Sequence, residues 1–213
     1  MIVGETMNTL NYFLRIPITC MLSCIAVLLF LVKEFESLFA FQFNQFRGFE
    51  IHQVIGCNWL HWSGDHLFWD LAMFAALAAI CESRTPVAFR WTLLFAAIAI
   101  PLGVLCMDPS VVSYRGLSGI DTALYGLLVG ELLIQKLKAR EWTGLAVYGL
   151  LLLGMIGKMT FELFTRSNLF VAVGSFTPVP SAHWIGAAIG LTIAIHSFFS
   201  RASLQEGIPQ PRR

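Results

Sequence analysis

Apolar residues fall into six long runs along the chain, separated by short polar breaks. The runs are Ile16 to Val32, His66 to Ile80, Val87 to Met107, Leu117 to Ile134, Trp142 to Ile156 and Ala182 to Phe199. A helix needs about 20 apolar residues to cross a bilayer, with ~17–25 tolerated. The second and fifth runs fall short of that, so tilt, flanking residues or shielding neighbours must extend them. Backbone amides in lipid must be paired within the segment, which makes helices the expected element throughout. The pattern predicts an all-α membrane protein with six transmembrane helices in one domain spanning residues 16–200.

Between the first two runs lies a long segment, 33–65, that is neither apolar enough for a span nor charged enough for a linker. It is rich in aromatic residues, among them Phe35, Phe39, Phe41, Phe43, Phe46, Phe49, Trp59 and Trp62. Aromatic rings favour the membrane interface, so an amphipathic structure lying at the outer surface is predicted here. No internal repeat or low-complexity tract is visible. The tail 201–213, with Pro209 and Pro211, is predicted to be disordered and the segment 1–15 to be a short N-terminal extension. The first run is read as a retained helix, because Lys33, Glu34 and Phe35 follow it in place of a small-residue cleavage site.

Composition agrees with the pattern. Of 213 residues, 57% are hydrophobic and 13% charged. Soluble domains run nearer about half apolar and about a quarter charged. The net charge of +1 argues against nucleic acid as a partner, since neutralising phosphates needs a basic patch. The basic residues orient the spans. Arg15, Arg84, Arg90, Lys136, Lys138, Arg140, Arg201, Arg212 and Arg213 fall on one side. Lys33, Arg47, Arg115, Lys158 and Arg166 fall on the other. The positive-inside bias predicts both termini in the cytoplasm. None of the five cysteines (Cys20, Cys24, Cys57, Cys81, Cys106) forms a CxxC pair, and they read as small buried hydrophobes.

Ionisable groups inside apolar runs are expensive and therefore functional candidates. They are His66 and Asp70 in the second run, Asp121 in the fourth, and His183 and His196 in the sixth. With this orientation His66, Ser118 and His183 all fall at the outer ends of their spans. Ser118 followed by Asp121 also reads as a capping box that satisfies free helix-start amides. The competing reading is a nucleophile among free amides at the positive end of a helix dipole, where an oxyanion can be stabilised. The flanking glycines Gly116 and Gly119 then leave room for a substrate backbone. Gly186 and Gly190 form a GxxxG pair that admits close helix approach. His183, three residues before Gly186, lies on the same face and is either an interfacial residue or a base for Ser118. His66 and Asp70 share a helical face. The spacing from His61 to His66 places no second imidazole on that face, so no metal site is predicted. His52 and His196 read as boundary residues.

These residues resemble the rhomboid family of intramembrane serine proteases, from about His61 to Gly190. The family's GxSG motif matches Gly116-Leu117-Ser118-Gly119, and its AHxxG motif matches Ala182-His183-Trp184-Ile185-Gly186. Its HxxxxHxxxN motif matches His61, His66 and Asp70, with aspartate in place of asparagine and Glu82 twelve residues on. Tyr114-Arg115-Gly116-Leu117-Ser118-Gly119 and His61-Trp62-Ser63 are closest to the rhombosortase subgroup, which trims C-terminal sorting tails. The resemblance implies a six-helix rhomboid-like bundle in the cell membrane. It also implies a Ser118–His183 dyad with no third acid, no metal and no cofactor, and an oxyanion held by the Ser118 amide and His66. The implied partner is a membrane protein with a transmembrane segment. Asp70 departs from the pattern; paired with His66 it would keep that imidazole protonated. Thr122 stands where many members have tyrosine, leaving Tyr125 or Trp184 to supply a ring. The family's Trp-Arg pair is not evident, and Phe46-Arg47 matches it poorly. These departures motivate a second expectation, a catalytically inactive rhomboid-like protein that binds membrane clients. A channel or transporter fits less well, because the polar residues gather at one depth.

Overall fold

The structure, a computed structural model, describes residues 15–48, 50–108, 110–165 and 179–206, without the side chains of 201–206. Expectations for 1–14, Phe49, Arg166 and 207–213, including Pro209, Pro211, Arg212 and Arg213, fall outside the described residues. The chain is mostly helical. In order it forms α1 (Pro17–Leu31), α2 (Glu34–Phe39), β1 (Phe41–Gln42), α3 (Ile51–Gly56), a 3-10 turn (Cys57–Trp59), α4 (Gly64–Arg84), α5 (Pro86–Met107), β2 (Ser113–Tyr114), α6 (Ser118–Ala139), α7 (Trp142–Thr165) and α8 (Pro180–Glu206). Proline opens α1, α5 and α8, where its missing amide would have had no intrahelical partner. Ser63 caps α4 by accepting the His66 amide at 3.2 Å.

Among the described residues four helices are long and apolar enough to cross a membrane: Gly64–Arg84, Pro86–Met107, Trp142–Thr165 and Pro180–Ser200. The short second and fifth runs of the sequence become helices of 21 and 24 residues. They lengthen because charged residues near their ends find partners inside the bundle. Lys158 and Glu162, one turn apart on α7, pair with each other and carry that helix past Ile156 to Thr165. Disorder expected from Arg201 onward gives way to helix as far as Glu206.

α6 is the central element and packs against α4, α5, α7 and α8. It carries Asp121, Glu131, Lys136 and Lys138, yet Asp121 and Glu131 are buried. Neighbouring helices rather than its own composition shield it. Its closest partner is α8. A side chain at Gly186 would overlap the Gly119 carbonyl oxygen, and one at Gly190 the Ala123 carbonyl oxygen. Both contacts advance together along the two helices, so α6 and α8 run parallel. By contrast α7 buries only Met155, Met159 and Glu162.

α1 is fastened to α4 by one side chain. The Glu82 carboxyl accepts the Ile18 amide (2.9 Å), the Thr19 amide (2.8 Å) and the Thr19 hydroxyl (2.7 Å). It thereby satisfies helix-start donors that have no intrahelical acceptor. The aromatic segment is folded back onto the bundle. Phe41 is fully buried, with Phe43 and Phe46 edge-on to it at 5.0 Å. β1 pairs antiparallel with β2, Phe41 opposite Tyr114, which ties this segment to the chain just ahead of Ser118.

The seam predicts a position-specific cost. Gly190→Ala is expected to destabilise the protein by about 1–3 kcal/mol, as overpacking does. Gly149→Ala, whose added methyl meets nothing within 4 Å, is expected to melt at or above the wild-type temperature. Thermal melting in detergent checks both. Equal melting of wild type and Gly190→Ala would show that the seam tolerates separation.

Candidate active site

Ser118 is the first residue of α6 and His183 lies in the first turn of α8. Because the helices are parallel and Gly186 sits against the Gly119 carbonyl, these two residues come to the same end of the seam. Both line one cavity of about 1360 Å³. α4 and α7 face each other across it, contributing Trp69 and Met73 on one side and Met155 and Phe161 on the other. Along α6, Ser118, Asp121, Thr122 and Tyr125 present one helical face to this space. The first amides of α6 lack intrahelical acceptors, so a serine here has donors around it.

The loop before Ser118 is held by groups from several elements. Gly116 has φ +121°, a left-handed region that glycine adopts without strain. A side chain there would meet the His66 ring at 3.0 Å and Asp70 Oδ2 at 3.1 Å. The Gly116 amide donates to the Cys57 carbonyl at 3.2 Å. Arg115 lies over the Trp62 ring, 4.1 Å from its centroid, and pairs with Glu36 at 2.6 Å. Both contacts reach back to the aromatic segment.

Asp70 is the hub. Its Oδ2 accepts the Leu117 amide at 3.1 Å, directly ahead of Ser118. His66 Nε2 approaches the same oxygen at 3.1 Å and His61 Nε2 at 3.4 Å, with the two imidazoles edge-on at 5.1 Å. The expected pairing of Asp70 with His66 is therefore present. The Trp62 amide lies 3.5 Å from His66 Nδ1. Both ring nitrogens of His66 are engaged. His61 reaches this cluster although it shares no helical face with His66, because it lies in the loop ahead of the Ser63 cap. Among the described residues no three His, Cys, Asp or Glu side chains are arranged as metal ligands.

His183 is buried, and its Nδ1 lies 2.8 Å from Glu162 Oε2. The other carboxylate oxygen of Glu162 takes the Lys158 ammonium at 2.7 Å. No motif pointed to Glu162. The signal available was a Lys-x-x-x-Glu pair at i,i+4 just past the fifth apolar run, where Lys158 reads as a loop residue. Thr122 turns its hydroxyl back to the Ser118 carbonyl at 2.8 Å, and Tyr125 donates to the Leu151 carbonyl of α7 at 3.2 Å. Trp184 is exposed. Asp121 is buried, and its Oδ1 has no hydrogen-bond partner among the described residues. Ser181 joins the start of α8 to the end of α5 through Asp108 at 3.1 Å. Cys20, Cys24, Cys57, Cys81 and Cys106 are all free thiols.

A hydroxyl at a helix start, a buried imidazole on the facing helix and an apolar-walled cavity form an arrangement suited to nucleophilic acyl transfer. No family model and no curated protein matches the chain.

The hub predicts an ordered loss of stability. Asp70→Ala removes the acceptor for the Leu117 amide and the His66 Nε2–H, and is expected to cost about 2–4 kcal/mol. Asp70→Asn keeps a carbonyl oxygen for Leu117 and is expected to lose about half as much. Thermal melting of the two variants checks the order. An Asp70→Ala protein as stable as wild type would remove Asp70 as the anchor of the loop.

Proposed function

We propose that this chain is an intramembrane serine endopeptidase of the rhomboid type, with Ser118 as nucleophile and His183 as general base. The observation that carries the reading is the parallel α6–α8 seam, which brings the helix-start hydroxyl and the buried imidazole to the same end, both lining one cavity. In this reading α1 and α6 join the four apolar helices to make six spans. The termini are cytoplasmic and the site faces the outer side of a cell membrane.

The reaction follows from the groups present. Ser118 Oγ attacks the carbonyl carbon of a peptide bond in or near a transmembrane segment, and its proton passes to His183. The oxyanion is held by amides at the start of α6, beginning with that of Ser118. Gly116 and Gly119 leave the substrate backbone unobstructed. The C–N bond breaks as His183 returns the proton to the leaving amine, and water then releases the acyl group by the same path. The facing walls of α4 and α7 supply apolar surface suited to a substrate helix. Processing of C-terminal sorting tails is the specific form that the likeness to rhombosortases suggests.

One observation favours a second reading, an inactive rhomboid-like protein that binds membrane clients. His66, the oxyanion donor implied by the resemblance, is turned to Asp70 instead. Labelling with a fluorophosphonate decides between them. Wild-type protein in detergent is expected to label, Ser118→Ala to lose all labelling, and His183→Ala to label at least about 100-fold more slowly. No labelling of wild type, or labelling that survives Ser118→Ala, supports the inactive reading. Retained C-terminal tails on exported proteins in cells lacking the gene test the sorting role.

A further inference from the structure

We propose that Glu162 is a positioning residue that converts the Ser118–His183 pair into a triad, orienting His183 through its Nδ1. The proposal rests on the protease reading and departs from the acid-free dyad that the family resemblance implies. Three observations carry it. Glu162 is 1% exposed, on the least buried of the four long apolar helices. Its Oε2 lies 2.8 Å from His183 Nδ1, within a charge-assisted hydrogen bond. Its Oε1 is taken by Lys158 at 2.7 Å, so that one oxygen is left for the imidazole.

The chemistry follows from donor and acceptor roles. A carboxylate salt-bridged to Lys158 only accepts, so the His183 proton resides on Nδ1. Nε2 then carries the lone pair that a base for Ser118 requires. When Ser118 Oγ attacks, its proton moves to Nε2 and the ring becomes an imidazolium. Glu162 stabilises that charge and gains no proton. The Nε2 proton leaves with the amine and the original tautomer returns. Without Glu162 the imidazole divides between tautomers, and the form with its proton on Nε2 is not a base. A carboxylate that merely fastened α7 to α8 would leave the tautomer and the chemical step unaffected.

The test compares full-length wild type, Glu162→Gln and Ser118→Ala in detergent. The rate of fluorophosphonate labelling is measured against probe concentration, which separates maximal rate from half-saturation. Imidazole nitrogen NMR of histidine-labelled protein, with His183 assigned by loss of its signal in His183→Ala, reports the tautomer. Glu162→Gln is expected to lower the maximal rate by about 10²–10⁴-fold, with half-saturation unchanged, and to move His183 away from the Nδ1–H tautomer. If Glu162→Gln does not fold, Glu162→Asp carries the test. It keeps the charge but withdraws it by one methylene, and is expected to lower the maximal rate at least about tenfold. Wild-type rates in the folded variant, or a His183 tautomer that does not change in Glu162→Gln, overturn the role of Glu162 alone. Labelling that survives Ser118→Ala overturns the protease reading and this proposal together.

Discussion

At Gly186 and Gly190 the backbone of α8 lies against the carbonyl oxygens of Gly119 and Ala123, with no room for a methyl group between them. Such an approach lets two helices pack along their backbones, as small residues do in membranes generally. It fixes three things together. The two helices run parallel, Ser118 and His183 come to the same end of the seam, and α6 is packed by four neighbouring helices. The last of these explains how α6 carries Asp121 and Glu131 inside an apolar bundle. Its polar residues face helices and a cavity rather than lipid, where such groups are costly.

The seam sets the level of Ser118, but the cluster around Asp70 sets the shape of the loop that delivers it. Oδ2 gathers the Leu117 amide and two imidazoles, while Gly116 passes close enough to exclude a side chain. Arg115 extends the restraint to Trp62 and Glu36. The aromatic segment therefore braces the turn through β1, Trp62 and Glu36. It does so because an unpaired amide or carboxylate in this setting costs more than the bonds that satisfy it return.

What the sequence reveals follows from how local each signal is. The apolar runs locate the helices because span length is a property of contiguous residues. The GxxxG spacing and its offset from His183 bring that imidazole to the same end of the seam as Ser118, because both lie on regular helix. The reasoning breaks down where a contact depends on leaving the helix. His61 meets Asp70 from a loop, a proximity that helical spacing does not disclose. Glu162 lies past the end of an apolar run and bonds to a residue on another helix, which no spacing within α7 discloses. The lengths of α4 and α7 are underestimated for the same reason: charged residues end an apolar run but, once paired, do not end a helix.

The Lys158–Glu162 pair is best weighed against where it sits. Only the Glu162 carboxylate is withdrawn from water, at a cost of roughly several kcal/mol that one partly exposed ammonium often fails to offset. A pair retained for stability alone belongs in a densely packed region that fixes its geometry. α7 is the opposite, with Gly149, Gly154 and Gly157 facing open space and only three side chains buried. Met155 and Met159 pack against Ala187, and two polar contacts, Tyr125 to Leu151 and His183 to Glu162, add to that packing. The second of these ends on the imidazole that the Gly186–Gly190 seam brings to the same end as Ser118. Two of the contacts that hold α7 to the bundle thus end on residues that line the cavity, Tyr125 and His183.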